Sequence, residues 1–404
     1  MEKLAIEGGT PVFTEPLKLP KWPPRYPETA ERLKEIYLNE TWSFYGPRET
    51  AFNNMFAAFN GVRHCVMMAN GTVTLEMALY ALGVGAGDEV IVPAHTWLAT
   101  GEAVAYRGAI PVIVDIEADT LCMAPAAFEA AITPKTKAVI PVHLFGSIAD
   151  MDRILDIAKR HNIAVIEDCA HVHGSEWDGK KIGSMGAIGS FSFQQSKLLA
   201  SGEGGACITN DDDLAEILGR VSHIGYPFGA KQGEKSGEPP EKGLICHNYR
   251  VTDFQAEILI SQLEHFDADN AQRAKAAEYL RRNLNAIDGI KVQAPGRKAT
   301  LQTYYNYCMK LDQSVLKPGI TRKEFLEAIR AEGVEAGTGW GDVMYKHRLW
   351  TILPKDFRIE SCENAERIVY SELIALNHEF LMLPQGQLAK IVEAFQKVMN
   401  AYHA

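Results

Sequence analysis

Between residues 64 and 210 the chain repeats one pattern, a short apolar run followed by a segment whose apolar residues fall at helical intervals. The runs are HCVMMA, DEVIVPA, IPVIVDI, AVIPVHL, AVIEDCA, IGSFSFQ and GACITN. Most are continuously apolar, as strands covered on both faces are, and MDRILDIAKRHN between two of them has the spacing of an amphipathic helix. The pattern predicts an α/β fold, a mostly parallel seven-stranded sheet with helices on both faces. About a dozen residues separate the last two runs, too few for a crossover helix, so one strand is expected to run antiparallel. That irregularity, and the lack of a G-x-G-x-x-G turn between a strand and a helix, argue against a dinucleotide fold.

Downstream, GAKQGEKSGEPPEKG at 229–243 is polar and rich in Gly and Pro, which predicts an exposed loop. Thr252 or Asp253 can then cap a long helix carrying Phe254, Ile258, Leu259, Leu263 and Phe266 at helical spacing. Beyond about residue 288 the order is strand, strand, helix, strand, helix, helix, a smaller α+β unit. The expected division is a large domain over 1–265, with an N-terminal arm, and a small C-terminal domain over 266–404. With 404 residues, 47% of them hydrophobic, the chain has material for both cores.

Charge narrows the partners. A formal net charge of -10 without a long Lys/Arg run offers little to nucleic acid or an anionic membrane, leaving a small-molecule substrate. No apolar run approaches the roughly 20 residues of a membrane span, and MEKLAIEGGTPVF lacks a basic segment and apolar core, so a cytoplasmic protein is expected. The seven cysteines include no C-x-x-C pair, and His171 with His173 lacks a third ligand at helical spacing; no metal is expected.

Three motifs carry chemistry. In FSFQQSKLLASGEGGA, Lys197 sits between an apolar strand and a glycine-dense turn. A confined amine there would lose its proton near neutrality and could attack a carbonyl; the competing reading is a solvated loop lysine. In AVIEDCAH the strand ends on Glu167 and Asp168, at the carboxyl edge where α/β sheets bind ligands. Such an acid needs a cationic partner, for which a protonated pyridine nitrogen serves, unless it only fixes a loop. In ANGTVTLEMALYAL a strand passes through Gly71 and Thr72 into a helix, whose free amides could hold a phosphate or merely form a turn.

In this order and spacing, the three motifs resemble the DegT/DnrJ/EryC1/StrS aminotransferases of the fold-type I PLP-dependent transferases. The resemblance extends from GGTPVF through WSFYGP, NGTVTLEMAL, GDEVIVPAHTWLAT, PVHLFG, EDCAHVHG, FSFQQSK and SGEGGA to NYRVTDFQAEILISQL. It implies pyridoxal 5'-phosphate (PLP, cycling with PMP) as cofactor, Lys197 as the internal aldimine lysine and Asp168 as partner of the pyridine nitrogen. Trp97 would stack on the ring, Gly71, Thr72 and Ser192 would hold the phosphate, and His171 would approach the ring hydroxyl. Asn248 would reach the cofactor of a neighbouring subunit, which implies a homodimer with shared active sites; a capping role within its own chain is the alternative.

Gln194-Gln195-Ser196 before the lysine, with DTLCMAPAAFEAAI, QTYYNY and ALNHEFL, resembles the glutamine:scyllo-inosose aminotransferases of aminocyclitol biosynthesis, with 3-amino-5-hydroxybenzoate synthases as cousins. The implied reaction moves an amino group from glutamine or glutamate to a keto-cyclitol or keto-sugar, in ping-pong fashion. Tyr45, Tyr304, Tyr305 and His347 are candidate substrate contacts, although GTGWGDVMYKHRLW departs from the subgroup's usual segment around His347. A nucleotide-sugar aminotransferase or a 3-amino-5-hydroxybenzoate synthase-like enzyme is the alternative. Lys197 speaks against a PMP-dependent sugar dehydratase, in which histidine replaces the lysine. A non-catalytic PLP-fold regulator would need a DNA-binding module, and no helix-turn-helix precedes residue 40.

Overall fold

The computed structural model describes residues 2–39, 41–230 and 243–404, so most of the loop expected over 229–243 lies outside the described residues. All seven apolar runs form strands of one sheet. Its order is His64–Met68, Gly205–Thr209, Ile188–Ser192, Ala164–Asp168, Thr136–Val139, Glu89–Pro93, Ile110–Val114 and Arg358–Ile359. The last strand makes eight where seven were expected. It is two residues long and pairs parallel to the edge strand Ile110–Val114, with no apolar run to announce it; the Arg358 guanidinium, donating to Glu89 (3.1 Å) and Ala131 O (2.8 Å), fastens it there.

Gly205–Thr209 runs antiparallel to both of its neighbours, as the short spacing before it required. Two antiparallel pairings in succession restore the direction of His64–Met68, so its carboxyl end lies on the same edge as those of Ala164–Asp168 and Ile188–Ser192. That edge collects Gly71, Asp168 and Ser192.

A second buried cluster surrounds the antiparallel strands Ile290–Val292, Asn306–Leu311 and Leu373–Asn377 and the helices Arg322–Ala331 and Gln385–Tyr402. The helix Asp253–Leu284 serves both clusters: Leu259 and Phe266 pack into the first, Ala277, Leu280 and Leu284 into the second. Thr252 caps it through a capping box with Gln255. Asp253 has another task, accepting the amides of Arg48 (3.2 Å) and Glu49 (3.1 Å) at the start of the helix Pro47–Asn60. Val343, Met344, Ala365 and Ile368 return to the first cluster. Among the described residues no helix is long and apolar enough to cross a membrane.

Candidate active site

At the carboxyl edge of the sheet opens a cavity of about 850 Å³. Gly71, Thr72, Trp97, Asp168, His171, Ser192, Lys197 and Tyr305 all line it.

Alternation along the strand Ala164–Asp168 sends its two terminal acids to different environments. Glu167 is fully buried and accepts the amides of Gly183 (3.0 Å), Met185 (2.8 Å) and Gly186 (2.7 Å). Burial works to raise its pKa, but His143 and these amides outweigh it and hold the carboxyl below its usual range. Cys169 completes a His143, Glu167, Cys169 group with ligand atoms within 4.8 Å of one another. Those donors are committed to the fold. His143 Nδ1 accepts the Ala149 amide (3.2 Å), so its Nε2 donates to Glu167 (3.3 Å), whose oxygens already hold three backbone N–H groups.

Asp168 faces the cavity. The Thr100 hydroxyl donates to it at 3.0 Å and the Ala170 amide at 3.2 Å. Burial pushes its pKa up against those donors and against the Lys197 amine, so this carboxylate is best satisfied by a cation in the cavity.

Lys197 follows the strand Ile188–Ser192 in a turn tied by the Gln195 amide to Gly202 O (2.8 Å) and the Phe193 amide to Gly204 O (2.8 Å). Its ammonium lies 4.3 Å from the Tyr305 ring centroid. Burial pulls the amine down to about 8, with Asp168 opposing, which leaves it readily deprotonated.

The helix Gly71–Ala81 starts at the cavity wall. The Asn70 side chain accepts the Val73 amide (3.0 Å) and the Thr74 amide bonds to Asn70 O (3.1 Å), while the amides of Gly71 and Thr72 have no intrahelical acceptor by helix geometry. A methyl group on Gly71 would meet Ser192 Cβ at 2.6 Å, so glycine is what lets the helix start close against Ser192. This cradle of amides and hydroxyls suits a phosphate.

His171 lies nearly parallel to Tyr305 (4.1 Å between centroids) and Phe145 (5.7 Å), and its Nδ1 accepts the Phe145 amide at 3.4 Å. Burial holds the imidazole pKa well below its ordinary value, so the ring is neutral with its proton on Nε2. Trp97 is 43% exposed and stands 5.8 Å from Trp340.

Four other candidates do not line this cavity. Tyr304 and Tyr305 are consecutive across a bend and pack in different clusters; Tyr305 takes the cavity side, while the Tyr304 hydroxyl is bound by Arg281 (2.9 Å) and Gln302 (3.1 Å). Tyr45 is buried against His223 and Phe228, its amide held by Glu49 at 2.9 Å. His347 touches only the rim, 5.8 Å from Trp97. Asn248 is exposed and bridges to His223 through backbone.

Sequence reasoning missed Thr100 and Trp340. Trp340 lines the cavity and packs on Phe145 (5.1 Å), His171 (5.4 Å) and His95 (5.6 Å). An aromatic between glycines in a polar stretch, TGWGD, was the available signal. For Thr100 the hint was its place three residues after Trp97 in the same motif.

Comparison with known proteins agrees with this architecture. Residues 25–396 match the model of the DegT/DnrJ/EryC1/StrS aminotransferase family. L-glutamine:2-deoxy-scyllo-inosose aminotransferase of Streptomyces kanamyceticus is 42% identical over 419 residues, spanning 98% of this chain and 97% of that protein. The enzyme of the same name from Streptoalloteichus tenebrarius is 38% identical over 422 residues, with 98% and 97% covered. Among solved structures, 3-amino-5-hydroxybenzoic acid (AHBA) synthase superposes with a TM-score of 0.84 at 29% identity, over 96% of this chain and all of that one. The α/β fold is therefore the fold-type I arrangement, and the chain belongs to the DegT/DnrJ/EryC1/StrS aminotransferase family.

Proposed function

We propose that this aminotransferase uses PLP to move an amino group from glutamine or glutamate to a keto-cyclitol. One observation carries the reading: an amine with its pKa drawn down to about 8 shares a cavity with a buried carboxylate held by the neutral donors Thr100 and Ala170. When bound, PLP supplies an aldehyde carbon for the amino group and a ring that takes up the electron pair released at the donor's α-carbon.

The protein's residues divide the remaining work. Lys197, deprotonated near pH 8, is the group to bond the aldehyde and, once freed, to carry the α-proton away and return it. Asp168, steadied by Thr100 and Ala170, is the anion to pair with a protonated ring nitrogen. His171 offers Nε2–H to the ring hydroxyl, Trp97 its face to the ring, and Gly71, Thr72 and Ser192 their donors to the phosphate. Asn248, exposed and outside its own cavity, is the residue we assign to a partner's site in a homodimer. The aminocyclitol enzymes similar to this chain favour a cyclitol acceptor, as does Gln194 before the lysine.

Two measurements test this. Borohydride should bleach the visible band of the PLP-loaded protein and fix the cofactor to the peptide containing Lys197. The PMP-loaded protein should regain that band with inososes; reaction only with nucleotide-linked keto-sugars would reverse the acceptor assignment.

A further inference from the structure

Trp22 lies on the N-terminal arm, outside every motif of the resemblance. Its indole N–H donates to the carbonyl of Lys197 at 3.1 Å, across 175 positions of sequence. The Lys197 amide is also taken, donating to Gln194 O at 2.8 Å. With both backbone groups of this residue bound, the side chain swings from a fixed pivot. Next in the turn, Ser196 is held by Gln194 (2.7 Å) and the Tyr305 hydroxyl (2.9 Å).

Trp22 is itself clamped. His378 meets it edge-on with centroids 4.5 Å apart, and the Arg273 guanidinium lies 5.0 Å from its centroid. Arg273 is fully buried on the long helix Asp253–Leu284, where it donates to Asn270 at 3.3 Å. For a cation so placed, the face of an indole is a substantial source of stabilisation.

The arm that delivers Trp22 is anchored further back. Buried Glu332 accepts the amides of Ala5 (2.8 Å) and Val12 (3.0 Å) and pairs with Lys397 (2.9 Å), which also donates to Thr10 O (2.7 Å). The arm is thus a strap fastened to the second core at one end and to the lysine turn at the other.

We propose that Trp22 is a positioning residue for Lys197, and that the N-terminal arm holds the pivot from which this amine reaches the cavity. The inference rests on the reading of Lys197 as the reacting amine. Losing the N–H donor frees the Lys197 carbonyl and lets the turn relax outward, so the amine becomes better hydrated and less well aimed.

The test is Trp22→Phe, which keeps an aromatic ring and removes the donor, with Trp42→Phe as control. In the PMP-free, PLP-loaded protein, the single-turnover rate with the amino donor is expected to fall ~10-fold while the donor concentration for half-maximal rate moves less than ~2-fold. In the cofactor-free protein, the pH midpoint for acylation of Lys197, followed by peptide mass spectrometry, should rise from about 8 toward the ordinary lysine range. A merely structural Trp22 would lower thermal stability without moving that midpoint. Should Trp22→Phe fold poorly, 3-benzothienylalanine at position 22 keeps the shape of indole without its N–H, and the same two changes are expected. An unmoved midpoint and rate, in a protein whose cofactor borohydride still fixes to Lys197, overturns the positioning role alone. Failure of that fixation in the wild-type protein overturns the reading of Lys197 beneath it.

Discussion

Gly71→Ala tests the phosphate cradle with a quantity taken directly from the structure. The added Cβ would lie 2.6 Å from Ser192 Cβ, 3.1 Å from Ser192 Oγ and 3.2 Å from Ser192 Cα. Carbon atoms prefer ~3.5–4.0 Å, so the overlap with the Ser192 Cβ is ~1 Å, and that atom is fixed to the backbone of a buried strand, which yields poorly. Overpacking of this kind costs ~1–3 kcal/mol. The cost can appear in two places: the new methyl stays put and the fold weakens, or the helix start withdraws and its amides leave the phosphate. In the second case PLP affinity falls by about 5- to 150-fold. Urea denaturation of the cofactor-free protein reads the first, and PLP titration by visible absorbance reads the second. Ser192→Gly removes the Cβ and Oγ that the new methyl meets, so in Gly71→Ala/Ser192→Gly the two stability changes should compensate, with a coupling of at least ~1 kcal/mol, while PLP affinity stays low for want of the Ser192 hydroxyl. Gly85→Ala, where no heavy atom lies within 4 Å of the new Cβ, is the harmless control. Stability within ~0.5 kcal/mol and affinity within ~2-fold for Gly71→Ala would refute the close approach of helix and strand.

Asp168→Asn keeps the shape and can still accept the Ala170 amide, with its new NH2 donating to the Thr100 hydroxyl, but removes the charge; transamination should fall at least ~100-fold, and the Lys197 amine, losing an opposing carboxylate, should titrate below about 8. The lysine also leaves a mark on stability. Its pKa is about 8 folded against an ordinary 10.5, so between these values the unfolded chain binds more protons and the cofactor-free wild type should gain stability with rising pH relative to Lys197→Met. Urea midpoints of the two proteins at the ends of that window decide it, and a pH-independent difference counts against the depressed amine. Glu332→Ala strands Lys397 and the amides of Ala5 and Val12, and should cost ~3–5 kcal/mol with faster proteolysis of the arm; a loss under ~1 kcal/mol would mean the arm is not anchored there.

The sheet was legible because each of its seven long strands is a local apolar run, and burial on both faces writes itself into consecutive residues. The placement of Lys197, Asp168 and Gly71 at one edge was legible as well, since each stands at the end of such a strand or within a turn of it, and a parallel sheet brings those ends together; Ser192 came only from the resemblance. Arg358–Ile359 was not legible, because two residues tied by backbone pairing and by the Arg358 guanidinium to Glu89 and Ala131 carry no apolar pattern.

What needed the tertiary structure lies elsewhere in the chain. The choice between Tyr304 and Tyr305 turns on how the bend at these residues packs against Phe145 and Gly146. Trp340 reaches the cavity on a segment tied to the first core by the Met344 amide to Ala94 O (2.9 Å), and Trp22 reaches Lys197 on an arm fastened at Glu332. Sequence alone thus determined the elements and the residues carried at their ends, because steric and hydrophobic periodicity act over a few neighbours. Which distant side chains close around those ends was decided by folding, because contacts across hundreds of positions form through loop closure and core packing and leave no spacing rule in the chain.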